Sequence, residues 1–121
     1  MRKELHIQTR SEGEVTVIEV RGPVENATID AFEEGMAAAV KATSRAVVDL
    51  SGMDRITSQG LGLLIKHTEE MGGPDHFILA GIQPRVKDVF QALGLDQFFV
   101  IMESVDRALR FLEDQPAPSA P

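Results

Sequence analysis

Three histidines, His6, His67 and His76, are the side chains of this chain best suited to proton transfer or metal binding. Their spacing does not support either role. No two are placed as a ligand pair and there is no HExxH, so each reads as a surface or strand-edge histidine. The absence of cysteine excludes disulfides, thiolate nucleophiles and Cys-based zinc sites. Ser58 lacks the GxSxG context of a hydrolase nucleophile. Gly60 and Gly62 are not followed by the Lys-Ser/Thr of a phosphate loop, and a lone GxG is weak. Their lack of side chains instead lets a first helical turn approach a sheet or a partner closely. Nucleotide binding near Gly60 stays open, but no catalytic residue, metal or cofactor is expected, and an enzyme is the remote reading.

Two hydroxyls remain, in Ile56-Thr57-Ser58-Gln59-Gly60, where a loop runs into a helix. A helix N-terminus presents unpaired N–H groups and a partial positive charge. Thr57 or Ser58 is therefore an N-cap by residue type. A phosphoryl group at the same place would be tolerated by the fold. Its effect would fall on the surface, as about two negative charges and three acceptors in a contact patch.

The elements that hold this join follow from periodicity. Leu5 and Ile7 alternate with Glu4, His6 and Gln8, and Ser11-Glu12-Gly13 signals a turn. Glu14 to Val20 reads as a second hairpin strand. Val15 and Val17 are out of phase with Ile18 and Val20, which implies a bulge or a strand covered on both faces. Asn26 or Thr28 caps a helix whose inner residues are Ile29, Phe32, Met36 and Val40. Ala46-Val47-Val48 leads to Asp49 and Leu50 as a buried central strand, and Asp49 at its end is expected to bond N–H groups of the loop bearing Ser58. A helix with Leu61, Leu64, Ile65 and Met71 inward stops at Gly72-Gly73-Pro74. His76 to Gly81 is a strand. Pro84 opens a helix carrying Val86, Val89, Phe90 and Leu93, which Gly94 caps. Phe98 to Met102 is the last strand, and Ser104 caps a final helix.

The order is β-β-α-β-α-β-α-β-α. It implies one α/β domain over residues 1–113, a mixed, mostly parallel sheet packed with about four helices. Residues 114–121 (DQPAPSAP) are expected to be a disordered tail. At 121 residues one domain is the natural count, and the 43% apolar content is that of a globular protein. Net charge is −7, from 19 acidic and 12 basic residues. That sign opposes phosphate-backbone binding and docking on anionic lipid. No apolar run is long enough to span a bilayer and no signal peptide is apparent, so a cytoplasmic protein without nucleic-acid or membrane partners is expected.

The segment Val47 to Ile65 (VVDLSGMDRITSQGLGLLI) resembles the signature of the STAS domain of bacterial anti-sigma factor antagonists. The likeness continues in Gly22 to Thr28 (GPVENAT), at Pro84 to Val86, and from Val89-Phe90 to Gly94-Leu95 and Phe98. The resemblance implies a STAS fold and a partner-switching role. The unphosphorylated protein would bind an anti-sigma factor, often a GHKL-type serine kinase. Phosphorylation at Ser58 would break the complex, and a PP2C-type phosphatase would restore it. The contact surface so implied comprises Glu25, Asn26, Met53, Thr57, Ser58, Gln59, Gly60 and Leu61. Met53 belongs to it as an exposed loop residue, unless it packs in the core. Thr57 stands where the family carries an acidic residue, which makes it a second possible acceptor. Glu25 keeps the family's turn carboxylate on a longer stem, and Gln59 replaces a small residue. The alternative is a STAS interaction module of a signalling scaffold or transport complex, never phosphorylated.

Overall fold

The computed structural model describes residues 4–115. Strands β1 (His6–Glu12), β2 (Val15–Arg21), β3 (Ala46–Gly52), β4 (Phe77–Ala80) and β5 (Ile101–Met102) form one sheet in the order of the chain. β1 and β2 are antiparallel, and every later pairing is parallel. Helices α1 (Ile29–Lys41), α2 (Ser58–Glu70), α3 (Pro84–Ala92) and α4 (Val105–Glu113) fill the connections and the C-terminal end. The element order and the mixed, mostly parallel α/β architecture are those expected from the sequence. Gly13 (φ 64°) opens the two-residue hairpin turn, where a side chain would be strained.

Apolar residues sort onto two faces of the sheet. Ile18, Val20, Val48, Leu50 and Leu79 pack with Phe32, Met36, Leu61, Leu64 and Phe90 from α1, α2 and α3. Val15, Val17, Val47, Ile78 and Ala80 pack with Ala108 and Leu112 of α4. β2 therefore has no slip in its alternation. Val15 and Val17 point to α4 while Ile18 and Val20 point to α1 and α2, so both phases are apolar. A register shift between Glu19 and Arg21 of the β2–β3 ladder adds an irregularity at the strand's end.

The last strand is shorter than expected. Phe98 and Phe99 follow a 3-10 turn (Leu95–Gln97), and Phe99 packs against the ring of Phe90, with centroids 5.6 Å apart. These aromatics plug the end of the core, and only Ile101 and Met102 pair with β4. Ser104 caps α4, accepting from the Arg107 N–H at 3.1 Å. At its other end the buried Arg45 guanidinium donates to the carbonyls of Leu112 and Gln115, both at 3.1 Å. Of the segment expected as a tail, Asp114 and Gln115 join these helix-end hydrogen bonds, and 116–121 lies outside the described residues.

Candidate functional site

Two loops meet at the C-terminal ends of β2 and β3. Backbone bonds extend the parallel ladder past the strands: the N–H of Gly22 donates to the Gly52 carbonyl at 2.9 Å, that of Val24 to Arg55 at 2.8 Å, and that of Thr57 to Val24 at 3.0 Å. Val24 and Ile56 form an isolated parallel bridge. The loop from Pro23 to Thr28 is closed by the Thr28 hydroxyl, which donates to the Pro23 carbonyl (2.8 Å) and accepts from the Glu25 N–H (3.0 Å). Thr28 is thus the residue preceding α1, but its side chain holds the loop behind it and makes no cap bond to the helix. Across the two loops, Arg55 Nη1 donates to Glu25 Oε1 at 3.2 Å.

α2 begins beside this seam, and the two hydroxyls there take different positions. Thr57 is the N-cap. Its backbone is extended and its Oγ1 accepts from the Gly60 N–H at 3.3 Å. Ser58 is the first helical residue and is exposed, with no side-chain hydrogen bond among the described residues. The first turn of α2 carries no acidic side chain, so the helix does not neutralise its own positive end.

The glycines that follow differ in the same way. A Cβ on Gly60 would lie 2.7 Å from Val24 Cγ1 and 2.8 Å from Ile56 Cγ1. Gly60 thus lets α2 seat against the bridged loops. A Cβ on Gly62 would meet nothing within 4 Å. Gly62 is one turn beyond Ser58 on the same face, so bare helix backbone is open there.

Glu25, Asn26, Thr57, Ser58 and Gln59 share this surface, with Asn26, Ser58 and Gln59 exposed. Met53, expected as a surface contact, is fully buried: the loop turns back as its N–H donates to the Leu50 carbonyl at 3.0 Å, and the side chain joins the core. Leu61 is buried at 3% exposure and Gly60 is covered, so both support the surface from beneath. Asp49 bonds Ser51, near the end of β3, where the chain leaves for the loop bearing Ser58. Its Oδ1 accepts from the Ser51 N–H and hydroxyl, at 3.0 and 2.7 Å, and Gln83 Nε2 donates to the Ser51 carbonyl. His67 is not at the surface but in the α2 interior, 1% exposed, with Nδ1 2.8 Å from Glu70 Oε1. His76 bonds the Met71 carbonyl through Nδ1 (2.9 Å), and His6 is exposed. Arg55 is the site residue that periodicity misses. Its signal is an opposite charge to Glu25, each carried on a loop that follows one of two adjacent strands.

A family model for the STAS domain matches residues 6–108. The chain belongs to the STAS-domain family. Among solved structures, this STAS domain is similar to an anti-sigma factor antagonist from Mycobacterium paratuberculosis. The two share 26% identity over 92% of this chain and 96% of that one, with a TM-score of 0.84. The phosphorylated form of the Bacillus cell fate determinant SpoIIAA matches at 19% identity and TM-score 0.63, over 87% of this chain and 97% of that one. A sulfate transporter family protein from Wolinella succinogenes shares the fold at 16% identity and TM-score 0.67, over 83% and 85%. No curated protein sequence matches. Among the described residues, no helix is long and apolar enough to cross a membrane, and no cluster of His, Asp or Glu could hold a metal ion.

Proposed function

We propose that this STAS domain is an anti-sigma factor antagonist that acts by partner switching, with Ser58 as the phosphoacceptor. The observation that carries the reading is the division of labour at the start of α2. Thr57 caps the helix, which leaves the Ser58 hydroxyl exposed and unengaged at an unneutralised helix N-terminus. A phosphoryl group on Ser58 meets a favourable field and breaks no cap. It changes the surface that Glu25, Asn26, Thr57, Gln59 and Gly62 form around it, and so repels a partner seated there. The likeness to the mycobacterial antagonist over almost the whole of both chains supports the same role.

The unphosphorylated protein binds an anti-sigma factor that is also its GHKL-type serine kinase. A PP2C-type phosphatase reverses the modification. The test is to incubate the full chain with ATP and its candidate kinase and to locate the phosphate by mass spectrometry. One phosphate on Ser58 is expected. A kinase that binds the protein yet labels neither Ser58 nor Thr57 would sink the switch and leave a constant docking surface.

A further inference from the structure

The two edges of the sheet are unlike. β5 is two residues long, whereas β1 presents seven. Among the described residues the only sheet partner of β1 is β2, and their register runs from His6↔Arg21 to Glu12↔Val15 without a bulge. Six of the seven β1 residues are exposed, and the strand contains neither proline nor lysine. Short length, bulges, proline and charged side chains are the usual means of blunting an edge, and of these β1 has only the charges of Arg10 and Glu12.

We propose that two copies of this chain join through their β1 edges, antiparallel about Thr9, to make one continuous ten-stranded sheet. The side chains select that register. With Thr9 opposite Thr9, all seven residues pair: His6 faces Glu12, Ile7 faces Ser11 and Gln8 faces Arg10, each twice. His6, Gln8, Arg10 and Glu12 lie on the α4 side of the sheet, since Arg10 and Glu12 sit opposite Val17 and Val15. An imidazole meets a carboxylate at both ends of that face, and an amide meets a guanidinium between them. A dyad at Gln8 sets His6 against Arg10 and leaves Ser11 and Glu12 unpaired. A dyad at Arg10 sets two guanidinium groups face to face, and like charges directly opposite are destabilising. The contacts that these residues now make within the chain, the Arg10–Glu12 ion pair and His6 Nε2 at 3.8 Å from Glu4 Oε2, are exposed and rearrange at little cost.

β1 is two strands from β3, so both Ser58 surfaces stay outside the joint. The dimer is bivalent toward the partner. A joint of two strands buries less than the roughly 1,200–2,000 Å² of a standard interface, so it forms at high protein concentration.

Sedimentation of the full chain up to about 1 mM tests this. The wild-type mass is expected to rise toward that of a dimer. Thr9→Lys and Thr9→Glu each place two like charges on the dyad and should remain monomeric, while their equimolar mixture associates. The chain has no cysteine, so a Thr9→Cys variant can be oxidised as a second reading: it should give a disulfide-linked dimer that Asp75→Cys does not. A wild type that stays monomeric throughout overturns the proposal. So does self-association of either charge variant like the wild type, failure of the mixture to associate, or failure of Thr9→Cys to cross-link.

Discussion

Ser58 and Thr57 are adjacent hydroxyls whose loss should be felt by different measurements. Thr57→Ala removes the acceptor of the Gly60 N–H and should lower stability by about 1 kcal/mol in a denaturant melt. Ser58→Asp removes no hydrogen bond and adds a negative charge where the helix field favours one, so the melt should be unchanged or slightly raised. The same variant should weaken binding of the anti-sigma partner at least about tenfold by titration calorimetry. A large fall in melting temperature would instead make Ser58 a structural residue. The two glycines form a second contrasting pair. Gly60→Ala drives a methyl into Val24 and Ile56 and should cost about 1–3 kcal/mol. Gly62→Ala enters open space in a helix interior and should add about 0.5–1 kcal/mol. Sequence spacing placed these four residues at one helix start but could not separate them. Which hydroxyl caps, and which glycine faces the sheet, depends on how Val24 bridges Ile56, a contact between segments about thirty residues apart. Met53, for which core packing was the open alternative, and His67, expected at the surface, are buried for a related reason. Their neighbours are polar, but a backbone turn in one case and helix phase in the other carry the side chain inward.

At the scale of elements, α4 is the one to test, because among the described residues no other helix packs on its side of the sheet. It is fastened at both ends, by the Ser104 cap and by Arg45 at the last carbonyls. Arg45→Ala should cost about 1.5–3 kcal/mol, since hydrogen bonds to a charged group are lost in a buried place. Amide exchange should then speed up in α4 more than in α1. Uniform acceleration would mean that Arg45 supports the whole domain and not this helix. The helix itself was legible from its serine cap. The Arg45 fastening was not, because sequence gives no sign that a residue before β3 reaches a helix about seventy residues later. The boundary of β5 failed for a local reason. An apolar run of Phe98 to Met102 looks like a strand, but its two aromatics are spent on the core beside Phe90.

For the whole molecule, the sheet divides one chain into two cores, and the question is whether they melt as one. The sequence shows the division only indirectly, through the continuous apolar runs of β3 and β4, which leave no polar phase for a solvent-facing side. Ile78 and Leu79 are neighbours on β4, both fully buried, on opposite faces. A strand shared by both cores transmits loss on either side to the same hydrogen-bonded ladder, between β3 and β5. Ile78→Ala and Leu79→Ala should therefore each cost about 2–5 kcal/mol and keep a single transition by fluorescence-free probes such as far-UV circular dichroism and calorimetry. If α4 docks as a separate unit, Ile78→Ala will instead produce an early, shallow transition with the front core intact. In that case the back face of the sheet, with Val15, Val17 and Val47, would be exposed before global unfolding. The paired faces of β4 argue for the first outcome. Every residue of that strand is buried, so neither face can be stripped without leaving apolar surface in water beside a ladder that must still hold.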